Sequence, residues 1–160
     1  MEKLKDTASQ STSFEGIQLS RPLEVTWGDC DAAGVVFYPR FYAFFDTSTH
    51  ALLSAVGLDH HTLREQYGLL GVPLRRASAQ FSSAATFGDL LRAESRVIHL
   101  GQRSFTVQHR LFNGDRLVVE GEEVRVWAVS DGPGRMKSVD PGERLRSKLR
   151  LHTAEGCEDV

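Results

Sequence analysis

Two carboxylates lie close together in the segment WGDCDAAG, at positions 27–34. An aspartate can act as an oxygen nucleophile, or it can deprotonate a water molecule as a general base. Pro39 follows shortly afterwards, and proline is well tolerated at the start of a helix. The first N–H groups of a helix lack internal partners and together bear about +0.5 charge, which polarises a nearby carbonyl group. Asp29 and Asp31 are equally compatible with a structural role as turn-forming residues.

The apolar periodicity on either side of this segment predicts the elements that hold it in place. Leu23, Val25 and Trp27 alternate with polar residues over 22–29, which predicts a strand with one buried face. A shorter helix is predicted over 59–67, with Asp59 as its N-cap. A long helix is predicted over 39–56, because apolar or small residues recur there at helical spacing: Phe41, Phe45, Ser48, Leu52 and Ala55.

The remainder of the chain has the pattern of an antiparallel sheet. Strands are predicted within 69–83, 89–100, 104–112, 117–129 and 136–139, and the hairpin turn Asn113-Gly114-Asp115 separates the third from the fourth. In the fourth strand Val124, Val126 and Ala128 alternate against Glu123, Arg125 and Trp127. One strand, one long helix and a run of antiparallel strands predict an α+β architecture in which the sheet wraps around a single helix.

Composition narrows the class of protein. A chain of 160 residues with 41% hydrophobic and 25% charged residues is typical of one globular domain. The net charge of −2 argues against a general nucleic-acid binder. We expect neither a membrane span nor a signal peptide, because no apolar run is long enough, and hence a cytoplasmic protein. Residues 1–19 are predicted to be a mobile arm, 20–145 the domain and 146–160 a polar tail.

The segment WGDCDAAGVVFYP at 27–39 resembles the motif of the 4-hydroxybenzoyl-CoA thioesterase family, in the branch with an aspartate in the loop before the helix. The similarity continues through Phe45-Asp46, Gly71-Val72-Pro73, Arg103-Ser104-Phe105 and Glu123-Val124-Arg125-Val126, and covers about residues 22–140. It implies a hotdog fold, in which an antiparallel sheet of five to six strands wraps around one long central helix. It also implies hydrolysis of an aromatic acyl-CoA, of the 4-hydroxybenzoyl-CoA or benzoyl-CoA type.

The resemblance assigns roles to individual residues. It gives Asp31 the part of nucleophile or general base, and it gives the backbone N–H of Tyr38 the part of polarising the thioester carbonyl. Gly34 allows the loop to approach the substrate closely. Asp46 is either a solvated or subunit-contact acid, or a pocket residue that recognises a hydroxyl on an aromatic acyl group. The further acyl-pocket residues that the resemblance implies are Phe37, Val72 and Pro73.

Coenzyme A enters this scheme as part of the substrate, and no other cofactor is expected. Its phosphates suit arginine forks, for which Arg75, Arg76 and Arg103 are the candidates. Gly101 and Gln102 depart from the basic turn of the family, which counts against either the implied contacts to the nucleotide or an identical substrate. No metal is expected, because the adjacent His60 and His61 would point about 100° apart on a helix.

Two other functions fit the same residues. One is a thioesterase for short aliphatic or carrier-protein-bound acyl groups, against which Tyr38 counts because some relatives have a histidine there. The other is a hotdog protein that binds acyl-CoA without hydrolysing it, against which the presence of Asp31 counts. The resemblance also implies a homodimer or homotetramer with active sites between subunits.

Overall fold

A computed structural model describes residues 14–151. A short 3₁₀ turn at Trp27–Asp29 follows the first strand, and another at Ser147–Leu149 follows the last helix. The elements are β1 (Gln18–Glu24), α1 (Tyr38–Ala55), α2 (His60–Tyr67), β2 (Leu74–Phe81), β3 (Leu90–Leu100), β4 (Ser104–Asn113), β5 (Arg116–Val126), β6 (Ala128–Ser130), β7 (Met136–Ser138) and α3 (Glu143–Arg146).

The main sheet is antiparallel throughout and has five strands in the order β1-β3-β4-β5-β2. Alternate residues of β3, β4 and β5 are buried, so that one face of the sheet packs on α1 and the other meets solvent. The strands β6 and β7 form a separate pair that continues from the end of β5. The predicted α+β hotdog architecture, a sheet around one long helix, is confirmed.

The central helix has the predicted extent, and its predicted buried stripe is confirmed except at Ala55, which is exposed near the end of the helix. It begins at Tyr38, has Pro39 at its second position, and buries Phe41, Phe45, Ser48 and Leu52. It packs closely on the sheet at Gly121 of β5, where a Cβ atom would overlap the Ser78 carbonyl and lie 2.5 Å from Cε2 of Phe45. A side chain at residue 121 would therefore push the helix away from the sheet. The second helix, α2, is capped as predicted by the Asp59 side chain, which accepts from the Thr62 N–H.

Both predicted domain boundaries need correction where the structure describes them. Ile17, placed in the N-terminal arm, is buried, and its N–H donates to the carbonyl of Leu149 at 3.0 Å. Leu149, placed in the C-terminal tail, is fully buried. Apolar burial therefore extends the domain beyond 20–145 at both ends. The rest of the predicted arm and tail, residues 1–13 and 152–160, lies outside the described residues.

Two predicted strand patterns are also wrong in detail. Leu23 and Val25 are buried as expected, but β1 ends at Glu24 and Trp27 is 78% exposed. In β5 the buried face contains Glu123 and Arg125 and continues to Trp127, whereas Val124 and Val126 are only partly buried. The charged pair on the helix-facing side is tolerated because its members bond to one another and to α1.

No helix among residues 14–151 is both long and apolar enough to cross a membrane.

Candidate active site

The loop between β1 and α1 is built around Asp29. Its carboxylate is 3% exposed and accepts hydrogen bonds from the Thr26 N–H at 2.8 Å and the Thr26 hydroxyl at 2.6 Å. The Arg40 guanidinium, in the first turn of α1, donates to the other carboxylate oxygen at 2.8 Å. Burial alone would raise the pKa of Asp29, but these bonds from Thr26 and Arg40 hold that pKa below its usual value. Asp29 thus joins the end of β1 to the start of α1.

Asp31 lies two residues further on and has a different environment. It is exposed, and its Oδ1 accepts only the N–H of Ala33, at 2.9 Å. The loop closes tightly around it, because its own N–H donates to the Val35 carbonyl and the Gly34 N–H donates to its carbonyl, each at 2.9 Å. Gly34 has φ of +78°, which favours glycine. No basic side chain among residues 14–151 pairs with Asp31, so its carboxylate has no competing cation in this part of the chain.

The N-terminus of α1 lies beside this loop. Phe37 is the N-cap residue, and its N–H donates to the Asp29 carbonyl at 2.8 Å. The next N–H, that of Tyr38, is the first of the helix and has no hydrogen-bond partner within the described part of the chain. Pro39 supplies no N–H. A carbonyl oxygen placed here would therefore meet one free donor at the positive end of the helix.

A shallow groove of about 340 Å³ opens next to these groups. Its apolar walls suit a flat ring, and the rings of Phe37 and Tyr38 stand edge to face at 5.4 Å beside it. Both side chains are substantially exposed, at 46% and 61%. The groove residues are Val35, Val36, Tyr38, Phe41, Phe81, Ser82, Ser83, Ala84 and Ala85. Of the predicted site residues, Tyr38 lines this groove, and Asp31, Gly34 and Phe37 lie in the loop that leads to it.

The other predicted pocket residues form a second group. Asp46 is half exposed on α1, and its Oδ1 accepts from Nη2 of Arg125 at 2.7 Å. Nη1 of Arg125 donates to the Val72 carbonyl at 3.3 Å, and the neighbouring Pro73 carbonyl accepts the Val126 N–H at 3.1 Å. Asp46 lies eight residues after Tyr38 on the helix, or about 12 Å along its axis. Within one chain the two groups are therefore apart.

The predicted coenzyme-binding arginines are all exposed and lie at one end of the sheet. Arg75 and Arg76 are at the start of β2, which pairs with the last residues of β5. Arg103 precedes β4 on the other side of β5, and its carbonyl accepts the Trp127 N–H. β5 separates the two positions, which puts them about two strand spacings, roughly 10 Å, apart.

The sequence reasoning missed a buried polar network beneath α1. Glu123 accepts from Arg125 through both carboxylate oxygens and from the Thr49 hydroxyl at 2.7 Å. His109, fully buried and stacked on Phe45 at 4.7 Å, lies 3.3 Å from the Glu123 carboxylate. Burial alone would raise the pKa of Glu123, but the bonds from His109, Arg125 and Thr49 lower this pKa to about 2. The sequence does contain an indication of this network. Glu123 and Arg125 occupy alternate positions with the large apolar Trp127, so all three side chains lie on the same face of the strand.

The sheet around α1 and the aspartate loop at the helix N-terminus define a hotdog protein, and comparison with known proteins specifies its class. The sequence profile of the thioesterase-like superfamily matches residues 25–149, and the chain belongs to that superfamily. It is therefore a thioester hydrolase.

Individual relatives agree with this classification. The 4-hydroxybenzoyl-CoA thioesterase of Pseudomonas sp. strain CBS-3 is 29% identical over 123 residues, which cover 72% of this chain and 86% of that protein. The 1,4-dihydroxy-2-naphthoyl-CoA hydrolase of Synechococcus elongatus is 26% identical over 79% of this chain and 91% of its own length. A solved structure of the Pseudomonas thioesterase, at 24% identity, superposes with a TM-score of 0.77 over 83% of this chain and 99% of that one, which shows the shared fold.

Proposed function

We propose that this protein hydrolyses the CoA thioester of a hydroxylated aromatic acid, of the 4-hydroxybenzoyl-CoA type, to the free acid and CoA. The observation that carries the proposal is that Asp31, an exposed carboxylate without a cationic partner in residues 14–151, lies in the loop that leads into α1, whose first N–H, that of Tyr38, is unbonded. The relatives named for thioesters of 4-hydroxybenzoate and dihydroxynaphthoate support the choice of acyl group.

Asp31 acts on the acyl carbon by one of two routes. In the first, a carboxylate oxygen attacks this carbon, the C–S bond breaks and CoA leaves as its thiolate; water then hydrolyses the mixed anhydride and restores Asp31. In the second, Asp31 takes a proton from a water molecule that attacks the same carbon; the C–S bond then breaks, and the proton on Asp31 is released as CoA leaves. Both routes consume one water molecule and place negative charge on the carbonyl oxygen. The Tyr38 N–H stabilises this charge, a contribution of roughly 3–4 kcal/mol for one such donor in other enzymes.

The acyl group lies in the aromatic groove beside Gly34 and Phe37, and its hydroxyl reaches a carboxylate at the far end. Asp46 is the acid proposed for that contact, with Val72 and Pro73 beside it. The separation of about 12 Å along α1 between Asp46 and Tyr38 exceeds the length of a benzoyl group. We therefore place Asp46 of one subunit opposite Asp31 of another, in a homodimer or in a tetramer of such dimers. Arg75, Arg76 and Arg103 are proposed to bind the phosphates of coenzyme A.

A thiol-release assay tests the proposal with 4-hydroxybenzoyl-CoA, benzoyl-CoA and hexanoyl-CoA. Wild-type protein should release CoA most rapidly from the first. Asp31→Ala should lower kcat by roughly three orders of magnitude or more, as expected when a nucleophile or base is removed. The matched control is Glu24→Ala, which removes another exposed acid near the same loop and should leave turnover unchanged.

Each other outcome contradicts a specific part of the proposal. Equal turnover by wild type and Asp31→Ala would exclude Asp31 as the catalytic residue. A preference for hexanoyl-CoA would favour the aliphatic alternative. Tight binding of all three thioesters without thiol release would favour a non-catalytic acyl-CoA-binding protein.

A further inference from the structure

Arg125 is buried in the interior, and its guanidinium group contacts two of the predicted pocket residues, Val72 and Asp46. It is 4% exposed and bonds in three directions. Nε and Nη2 donate to the Glu123 carboxylate at 3.2 and 2.7 Å. Nη1 donates to the Val72 carbonyl, and Nη2 also donates to Asp46. A planar guanidinium with this many bonds has almost no freedom to reorient.

Glu123 provides the other half of this arrangement. It is 1% exposed, and it accepts from Thr49 on α1 as well as from Arg125 on its own strand. His109 supports it from β4 and is itself fixed by Ser95 of β3, whose hydroxyl lies 2.8 Å from Nδ1. A hydrogen on Nε2 of His109 and acceptance at Nδ1 from Ser95 satisfy every member of the chain. Three strands and the helix thus fix the position of Arg125.

This network has a direct consequence for Asp46. Arg125 bonds two carboxylates at once, the buried one of Glu123 and the half-exposed one of Asp46. Its Oδ1 is occupied by Arg125, and Oδ2 makes no hydrogen bond to any residue of 14–151. His50, one turn along α1, approaches Oδ1 at 3.7 Å and not Oδ2. One oxygen is therefore anchored while the other is left to accept from a ligand.

We infer that Arg125, held by Glu123, is a positioning residue that fixes the Asp46 carboxylate and thereby sets the preference for acyl groups with a hydrogen-bond donor. Without Arg125, the half-exposed Asp46 side chain would populate several rotamers, and a donor on the acyl ring would have to order it at each binding event. This inference rests on the proposed function, because it assigns Asp46 to the acyl pocket.

Binding of non-hydrolysable analogues tests the inference separately from catalysis. In a 4-hydroxyphenacyl thioether of CoA and its unsubstituted phenacyl counterpart, a methylene separates sulfur from the carbonyl, so neither can be hydrolysed. Calorimetry gives Kd for each, and the readout is the ratio of the two Kd values. Wild type should bind the hydroxylated analogue about tenfold more tightly or better. Asp46→Ala should reduce this ratio to about one.

Arg125 variants should reduce the ratio as well. Arg125→Met alone leaves Glu123 buried without its partner and risks unfolding. The Glu123→Gln/Arg125→Met double variant keeps the interior neutral, and it should reduce the ratio at least about threefold. Arg125→Lys retains the charge without the fork and should give an intermediate ratio. The matched control, Arg92→Met, removes an arginine that also bonds a glutamate two residues away, but on the solvent face of β3, and it should leave the ratio at the wild-type value.

The outcomes separate this inference from the proposed function. A purely structural role for Arg125 would weaken binding of both analogues equally, and an unchanged ratio in the double variant would overturn the inference. A wild-type ratio of one, or a ratio unaffected by Asp46→Ala, would overturn it also. Absence of thiol release from the corresponding thioesters, with the ratio behaving as expected, would reject the hydrolase and leave the positioning role supported.

Discussion

Two aspartates separated by one residue in the same loop have opposite environments. Asp29 is buried and bonded to Thr26 and Arg40, whereas Asp31 is exposed and bonded only to the adjacent backbone. A buried carboxylate with three charge-assisted bonds serves stability, because moving it would break the loop. The exposed carboxylate, without a cationic partner in residues 14–151, fits the proposed catalytic role. The structure thus distinguishes the two acids by physical criteria that their spacing in the sequence does not supply.

Substitution of each acid should separate stability from activity. Asp29→Asn removes the charge that holds Arg40, and it should lower the free energy of unfolding by about 2 kcal/mol. Asp31→Asn changes an exposed group and should alter the same quantity by no more than about 0.5 kcal/mol. Urea denaturation of both variants and of wild type measures these differences. A larger loss in Asp31→Asn than in Asp29→Asn would contradict the assignment of Asp29 as the structural member.

The pH dependence of the free energy of unfolding should reveal the contribution of the ionised Glu123 carboxylate. Its pKa in the folded protein is about 2, below the ordinary value of 4.5. Its ionised form therefore stabilises the fold fully above about pH 4.5, and this contribution disappears as the pH falls toward about 2. The contribution at neutral pH is on the order of 3 kcal/mol. Wild type should exceed Glu123→Gln in unfolding free energy by about that amount near neutrality, and the gap should close between these two pH values.

A gap between the two proteins that does not vary with pH would mean that the glutamine loses packing or hydrogen-bond geometry rather than charge. Chemical denaturation at several pH values decides between the two, because only the charge contribution titrates.

At the scale of elements, the packing of α1 against the sheet depends on Gly121, a residue without a side chain. Gly121 allows Phe45 to lie against β5 and to stack on His109. Gly121→Ala should destabilise the fold by about 1–3 kcal/mol, because a Cβ has no space there. Gly28→Ala is the control, since a Cβ at residue 28 would meet no atom within 4 Å, and it should change stability by no more than about 0.5 kcal/mol. Thermal unfolding of both variants measures the contrast; equal midpoints would show that the helix adjusts freely.

The predictions from sequence succeeded where local periodicity decides the outcome. The helical stripe from Phe41 to Leu52 and the Asp59 cap depend on residues a few positions apart, and both have the predicted structure. Asp31, Gly34, Phe37 and Tyr38 converge for the same reason, since eight positions of one loop contain them all. The exposure of Trp27 was not predicted. The Asp29 carboxylate accepts a hydrogen bond from the Thr26 N–H, and the extended chain therefore ends before Trp27.

Long-range partners explain the remaining errors. Alternation in β5 separates its two faces, but it does not indicate which face is buried when one has valines and the other has charges. Glu123 turns inward because Thr49 and His109, which are 74 and 14 positions away, supply its hydrogen bonds. Ile17 and Leu149 are joined by a backbone bond between the two ends of the domain. The few neighbouring positions that reveal a helical stripe or a cap do not contain both members of such pairs.

At the scale of the whole molecule, the proposed acyl pocket, with Asp31 and Asp46 at its two ends, predicts a second subunit. Asp31 and Tyr38 lie at one end of α1, and Asp46 lies about 12 Å along it. A single aromatic acyl group does not span that distance within one chain. A dimer that places the helix N-terminus of one subunit near the Asp46 of the other meets the requirement. Light scattering should therefore give at least twice the monomer mass of 17.8 kDa.

Mixed oligomers test the proposal that Asp46 acts across a subunit interface. Asp46→Ala alone should hydrolyse 4-hydroxybenzoyl-CoA and benzoyl-CoA with little discrimination, whereas Asp31→Ala should hydrolyse neither. If the site is shared, a dimer with one chain of each kind contains one site with both aspartates intact. Co-refolding Asp46→Ala with an excess of inactive Asp31→Ala should therefore restore the preference for the hydroxylated substrate. Co-refolding with an Asp31→Ala/Asp46→Ala chain should not restore it, and a preference unchanged in both mixtures would place each Asp46 in the same site as its own Asp31.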